Sequence, residues 1–365
     1  MKTWLLLFLL PPFLMGSIHT QEPSLSLGDE FGVSAVRDSL PEEVQEIGGN
    51  LTLDGSYDGT GALERLWNRF LLSLVESVRD SAGDALAIFA LVLFCAVGGA
   101  LTQGQRQEDF VQIAACAAVS IMLADGVNSL VGTAFSTLSD LSAYAKAALP
   151  AIYSAAAAGG APASSSARYA VSCLALDLMM SAAQRILLPL LSAYIAMAIC
   201  GSMFDNPILR SGLKISKKAA TLLMSLMTTA LTALLAVSGM VSGSADAAAV
   251  KTAKTVISAT LPVVGGIMSD AASSVLAAAG LIRSTAGAFG LVSVCALCLS
   301  PFAVFAVKKL LFSLAAVAAE MTAGPRLSRL LGDMAGVMGL LLGMVGCFGL
   351  MLFFSIVSAM RAVTG

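Results

Sequence analysis

Histidine and charged side chains are the scarcest features of this sequence. His19 is the only histidine, and Asp, Glu, Lys and Arg together supply 12% of the 365 residues, about half the share of a typical soluble domain. No histidine is left for a His-based catalytic triad or a zinc-binding pair beyond residue 19. The chain also lacks a phosphate-binding Gly-x-x-x-x-Gly-Lys-Ser/Thr loop and a Gly-x-Ser-x-Gly elbow. These absences predict a protein that is not an enzyme and has no cofactor or metal site.

Cysteines are few and scattered, and none lies between residues 21 and 84. No disulfide framework is therefore indicated. The pair Cys295-x-x-Cys298 has the spacing of a metal or redox site, but it has no second pair and lies inside an apolar run, so we interpret it as small apolar packing.

Apolar residues dominate, at 57% of the sequence, and the mean hydropathy is +0.86. A soluble globule of this size could not bury so much apolar surface. The composition predicts an all-α, polytopic helical membrane protein and excludes a nucleic-acid-binding protein.

Charge divides the chain into three regions. Residues 1–20 hold Lys2, an apolar run and Pro11-Pro12, which predicts a signal peptide or an N-terminal anchor. Residues 21–84 carry 13 acids and 4 bases and form a predicted exported acidic segment. Its end, Ala62–Asp84, repeats apolar residues at three- and four-residue steps, which predicts an amphipathic helix. That apolar face comprises Leu63, Leu66, Phe70, Leu74, Val75 and Val78.

Residues 85–365 form the predicted multi-span membrane domain, with six to nine hydrophobic helices. The six clear apolar runs are Ala85–Gln103, Phe110–Phe135 (interrupted by Asp125), Ile186–Phe204, Ala219–Val241, Ser284–Val307 and Met334–Met360. Three weaker stretches each carry one acid, and they are Tyr169–Ala183 with Asp177, Leu261–Ile282 with Asp270, and Leu310–Ala323 with Glu320. The small, Gly- and Ser-rich segment Ala155–Ala167 is predicted to be a loop.

Basic residues predict the orientation of the spans. The loop after the third run holds Arg210, Lys214, Lys217 and Lys218 against Asp205, which places it in the cytoplasm. Lys308-Lys309 should also be cytoplasmic, whereas the acidic N-terminal segment should lie on the other side of the membrane.

Two patterns point to candidate functional residues. Pro262, Gly265 and Gly266 interrupt a helix just before Asp270. Freed backbone groups and an acid can line a conduit or act as a hinge at such a break, although a packing bend gives the same pattern. A second pattern is a glycine stripe on the last apolar run, which predicts close helix packing. The stripe comprises Gly332, Gly336, Gly339, Gly343 and Gly346.

Several segments taken together match a known family. They are the signal-like start, the acidic segment, Lys217-Lys218-Ala-Ala-Thr221, and the approach from Lys251 and Lys254 to Leu261-Pro-Val-Val-Gly-Gly266 and Ser269-Asp270. In these features the chain resembles the stage III sporulation protein AE family. The resemblance implies a multi-pass protein of the mother-cell-derived outer forespore membrane. The family assembles with other sporulation membrane proteins of the same operon, including a separate ATPase and ring-forming subunits, into a channel between mother cell and forespore. No catalytic residues are implied.

Two functions therefore remain open. The first is a membrane-embedded structural or conduit subunit of that channel complex. The alternative is a stand-alone secondary transporter with a broken-helix site at residues 261–270, although the first half of the chain offers no matching broken segment.

Overall fold

The protein is an all-α helical bundle. The computed structural model describes residues 40–41, 44–45, 59–101, 105–158, 162–204, 206–260 and 265–360, and these ranges contain no strand. The helices are α1 (Gly59–Leu101), α2 (Gln105–Ala158), α3 (Pro162–Ala182), α4 (Leu188–Phe204), α5 (Pro207–Thr260), α6 (Gly265–Thr322) and α7 (Pro325–Met360), and a π-helical turn, Ala183–Leu187, joins α3 to α4.

The predicted fold class is confirmed. Within the described ranges, six helical segments are long and apolar enough to cross a membrane, counting α3, the π-helical turn and α4 as one. Pro189 explains the wider turn, because it lacks the amide that would bond to the carbonyl of residue 185.

Local chemistry sets the tight connections at two helix starts. Asn206 caps α5, since its Oδ1 accepts a hydrogen bond from the Ile208 amide at 2.9 Å, and Pro207 occupies the first helical position, where no amide is needed. Between α6 and α7, Gly324 adopts φ +100° and donates its amide to the Ala319 carbonyl at 2.9 Å. This left-handed helix end suits glycine, and Pro325 then starts α7.

The helices are longer than the hydropathy runs predict. Tyr169–Ala183 continues through the π-helical turn into α4, and Leu310–Ala323 completes α6. Neither stretch is a separate span. The predicted loop Ala155–Ala167 is also mostly helix, because α2 extends to Ala158 and α3 begins at Pro162. Ser164 and Ser165 are buried in the bundle, so their small size serves packing there.

Helix α7 lies at the centre of the bundle. It contacts α2, α3, α4, α5 and α6, and it buries large side chains along its whole length, from Leu327 through Leu341 and Phe348 to Ile356. A helix surrounded by others must be apolar on most of its faces. The hydropathy of this last run is therefore a consequence of both the membrane and the interior packing.

Helix α1 packs along α6 with a face that the hydrophobic pattern did not predict. Ser73, Ser77 and Ser81 are buried, whereas Val75 and Val78 are 65% and 57% exposed. Small side chains let two helices approach closely, which favours serine over valine in the contact. The predicted amphipathic helix is present, but much of its apolar face points away from the bundle.

The second half of α1 lies beside the second half of α6. Lys308 forms an ion pair with Asp84, and the Cys95 Sγ contacts the Ala323 carbonyl oxygen at 3.6 Å. The charge pattern assigned Asp84 to one side of the membrane and Lys308 to the other. Residues in contact lie at one depth, so this packing excludes that pair of assignments.

Candidate functional site

A charged cluster lies where α4, α5 and α7 meet. Tyr194 of α4 is 3% exposed, and its hydroxyl donates a hydrogen bond to the Asp333 carboxylate of α7. Asp333 is half-buried. A carboxylate in this position needs compensation for its partial loss of water, and the tyrosine hydroxyl supplies part of it.

Three cations act on the same carboxylate. Lys217 and Arg210 of α5 and Arg329 of α7 are close enough to Asp333 to act on it electrostatically. All three residues are exposed. Their positive charges offset part of the cost of burying the Asp333 carboxylate.

Glycine in α7 makes room for this cluster. A Cβ atom at Gly336 would lie 2.7 Å from the Tyr194 hydroxyl oxygen and 3.9 Å from the Lys217 Nζ. One turn further, a Cβ at Gly339 would lie 3.7 Å from the Lys309 Nζ. Two members of the predicted glycine stripe therefore accommodate polar side chains of neighbouring helices.

The other stripe glycines have different surroundings. A Cβ at Gly343 would meet the Met224 Sδ at 3.7 Å, and one at Gly346 would meet the Phe302 Cζ at 3.1 Å. Nothing lies within 4 Å of the corresponding position at Gly332. Four stripe glycines thus contact side chains of this same chain, on α4, α5 and α6, and the fifth faces outward.

An apolar groove continues directly from the charged cluster. Tyr194 belongs to both, and the groove lies between α4, α5 and α7 with a cavity volume of about 10 Å³, room for about one water molecule. Its apolar walls include Leu187, Leu191, Met224, Leu340 and Met344.

The family of this protein follows from comparison with known sequences. The model of the family described as stage III sporulation protein AE matches residues 54–363. The chain belongs to this family. The searches found no matching curated protein and no matching solved structure. The stage III sporulation protein AE family gives the protein a role in stage III of sporulation and confirms the resemblance seen in the sequence.

In this family member, the predicted hinge or conduit site at residues 262–270 is only partly described by the structure. Pro262 falls between α5 and α6, in residues that the structure does not describe. Gly265, Gly266 and Asp270 belong to the first turns of α6, and the side chain of Asp270 is likewise outside the description. The hinge or conduit role of these four residues stays a prediction.

The remaining acids of the weak stretches are on the outside of the bundle. Asp177 on α3 and Glu320 on α6 are both exposed, while the side chain of Asp125 is outside the described residues. An outward-facing acid does not line the interior of this chain. Asp177 and Glu320 could meet water, lipid headgroups or another subunit.

A buried polar network lies nearer the other end of α7, and the hydrophobic pattern did not predict it. The Tyr153 hydroxyl donates to the Ser355 carbonyl at 2.9 Å and lies 3.1 Å from the Ser172 Oγ. Arg168 is 9% exposed, and its Nη1 donates to the Ser358 carbonyl at 2.5 Å. These bonds tie α2 and α3 to the end of α7. The burial of Arg168 could have been predicted from helical periodicity only if the segment 155–167, which precedes it, had been treated as helix.

The candidate metal ligands of this chain include the cysteine pair of α6. Within them, no group of three or more His, Cys, Asp or Glu side chains converges as metal ligands would. Cys298 is half-buried next to Gly349, whose Cβ would lie 2.8 Å from its sulfur. That contact is consistent with the interpretation of Cys298 as a packing residue.

Proposed function

We propose that this protein is a membrane-embedded structural subunit of the channel complex between mother cell and forespore, and that it contributes to the conduit as part of an assembly. In this proposal it is a multi-pass protein of the outer forespore membrane. Its N-terminal acidic segment lies on the non-cytoplasmic side, and it carries no enzymatic activity. Family membership supports the sporulation role.

The central position of α7 is the observation that carries the proposal. The axis of the described bundle is filled by a helix whose Leu341, Val345 and Phe348 are completely buried. A conduit running along this axis would have to displace α7. A passage between neighbouring subunits requires no such rearrangement, and it fits a protein that acts within an assembly.

The outer surface of the bundle supports the same conclusion. On α6, the four residues Leu310, Leu314, Val317 and Met321 repeat at helical spacing and are between 55% and 81% exposed. On the adjacent part of α1, Leu86, Leu93 and Val97 are exposed as well. Large exposed apolar surfaces of this kind contact lipid or other membrane proteins.

The proposed partners are the other stage III sporulation membrane proteins of the same operon, including a separate ATPase and ring-forming subunits, in addition to the lipid bilayer. The sequence holds no phosphate-binding loop of the common ATPase type. A subunit without its own nucleotide site is compatible with a complex whose energy comes from a different chain.

Photocrosslinking in sporulating cells tests this proposal. A benzoylphenylalanine is placed at Leu93, Leu222 or Leu314, which are exposed on α1, α5 and α6, and at the buried control position Leu341. We expect covalent adducts with other sporulation membrane proteins from at least one exposed position, and none from Leu341. The adducts should be absent when the same chain is made in growing cells without the other sporulation proteins.

A stand-alone transporter predicts a different result. All exposed positions would then crosslink only to lipid in sporulating cells, while the tagged chain still restored sporulation to a deletion strain. That outcome would reject the assembly proposal.

A further inference from the structure

We propose that the face formed by the second halves of α1 and α6 is a docking surface for an apolar helix of another membrane subunit, which places a Lys or Arg side chain beside Glu320. The inference deepens the proposed function and rests on it, because it assigns one surface and one chemistry to a partner in the assembly. Around Glu320 this docking face exposes apolar side chains by 55% to 81%, namely Leu93, Phe94 and Val97 of α1 and Leu314, Val317 and Met321 of α6.

The packing of α1 on α6 sets the depth of the docking face. Asp84 lies beside Lys308 and Cys95 beside Ala323, so the face lies at the level of the apolar run 85–103. The apolar run 284–307 lies at another level of the same helix α6. The segment Thr285–Thr322 has 38 residues and is therefore about 57 Å long, nearly twice the hydrocarbon thickness of about 30 Å. At ordinary helix tilts, one hydrocarbon layer holds only one of the two levels.

One placement of the membrane leaves the docking face outside the hydrocarbon layer. The run 284–307 then spans the bilayer, and the exposed apolar side chains of the face lie beyond the headgroups. Contiguous apolar surface in contact with water marks a site of interaction with another molecule. In this placement lipid tails cannot reach the face, so a protein partner is needed to cover it.

The other placement puts the docking face in the hydrocarbon layer, where Glu320 becomes the costly residue. Glu320 lies one helical turn before Ala323, so it is at the level of the middle of the uncharged run 85–103. It is exposed, and among the described residues it has no ion-pair partner. A carboxylate at that depth is unfavourable unless it is paired. Both placements therefore call for a protein partner at this face.

Charge defines the chemistry of the partner. Glu320 is the only charged residue between Lys309 and Arg326, and α1 has no charged residue between positions 85 and 101. An apolar helix matches the exposed aliphatic side chains, and one Lys or Arg on that helix neutralises the Glu320 carboxylate through a charge-assisted hydrogen bond. The same face of a second copy would bring another carboxylate, and a lipid tail would bring no cation, so the charge favours a different subunit.

Photocrosslinking of the full-length chain in sporulating cells tests the docking face. A benzoylphenylalanine is placed at Leu93 or Leu314 in the face, or at Leu222 on α5 outside it. We expect Leu93 and Leu314 to give adducts with the same membrane subunit, identified by mass spectrometry. Glu320→Lys should lower the adduct yield at least about tenfold, because like charges in an interface are strongly unfavourable. Glu320→Asp should keep the yield.

Two further arms make the result specific. Asp177→Lys is the matched control, because Asp177 is also an exposed acid of a spanning segment, but on α3, which packs on α2, α5 and α7. It should leave the adduct yield unchanged. Replacing the partner's Lys or Arg nearest the crosslink by Glu should restore the adduct in the Glu320→Lys chain. All yields are divided by the amount of full-length chain in the membrane, so reduced accumulation is not counted as lost docking.

Several results would overturn the proposal. Lipid adducts alone at Leu93 and Leu314 would show that lipid covers the face, and adducts with a second copy of this chain would assign it to self-association. An unchanged yield in Glu320→Lys, or an equal loss in Asp177→Lys, would contradict the charge pairing. If Leu222 gives protein adducts while Leu93 and Leu314 do not, the assembly proposal stands and this docking face is wrong. If none of the three positions does, both proposals fail.

Discussion

Lys308 of α6 donates a hydrogen bond to the Asp84 carboxylate of α1, and this ion pair connects residues that are 224 positions apart in the sequence. The Lys308 side chain is 15% exposed and the Asp84 side chain 55%. The pair fixes the register of two helices that run in the same direction. It places the start of the apolar run 85–103 beside the end of the apolar run 284–307. These two runs therefore do not lie side by side at the same depth.

The ion pair predicts that positions 84 and 308 are accessible from the same side of the membrane. Asp84→Cys and Lys308→Cys, each in a chain whose native cysteines are replaced by alanine or serine, should react with an impermeant thiol reagent under the same conditions. Both should react in intact cells or both only after the membrane is opened. Ser211→Cys, in the basic segment of α5, serves as a reference. Reaction of positions 84 and 308 from opposite sides would contradict this packing of α1 on α6.

The contact between α6 and α7 predicts an engineered disulfide. A Cβ at Gly349 would lie 2.8 Å from the Cys298 Sγ, a separation at which two cysteines can be joined. Gly349→Cys treated with copper phenanthroline should lose both thiols and give a peptide containing residues 298 and 349, detectable by mass spectrometry. Gly349→Cys combined with Cys298→Ala is the control. An absence of the linked peptide from folded protein would show that the two helices pack differently.

Two glycines of the stripe should differ in their response to alanine. At Gly336 the added Cβ would lie 2.7 Å from the Tyr194 hydroxyl oxygen, so Gly336→Ala should cost about 1–3 kcal/mol through overpacking. Gly332 has open space at the same position, and Gly332→Ala should be neutral or gain up to about 1 kcal/mol from helix propensity. Thermal unfolding in detergent measures both. Equal effects would mean that Gly336 does not border Tyr194.

Removing the Tyr153 hydroxyl should weaken the contact between α2 and α7. Tyr153→Phe deletes the donor to the Ser355 carbonyl but keeps the ring, and it should cost about 0.6–2 kcal/mol, the range for hydrogen bonds between membrane helices. Ser166→Ala is a matched control, because its hydroxyl bonds only within its own helix and is exposed. Unfolding measurements in the same detergent compare the two. A larger loss for Ser166→Ala would contradict the network.

The features that depend on local sequence were predicted well. Apolar runs of sufficient length gave the membrane class and six spanning segments, since burying twenty apolar residues in lipid outweighs most other preferences. Lys217, Lys218, Lys308 and Lys309 border the apolar runs, but they lie inside α5 and α6 and do not mark helix ends. The Pro-Val-Val-Gly-Gly segment and its surroundings led to the family that the comparison confirmed.

Which faces meet was decided only by tertiary structure. A hydropathy pattern ranks Val75 and Val78 above Ser73 and Ser77 for burial, yet the serines are inside and the valines outside. Small side chains let α1 and α6 approach closely, so close fit selects the contact face. The same reason explains why the stripe at Gly336 and Gly339 borders Tyr194 and Lys309.

The sequence by itself determined that the chain is helical, where its apolar runs begin and end, and to which family it belongs, because these depend on residues that are near each other in the chain. The convergence of Tyr194, Lys217 and Asp333 depends on three separate helices. No local pattern encodes how far α4, α5 and α7 slide along one another. Side-chain packing set that register, and with it the cluster and the groove beside it.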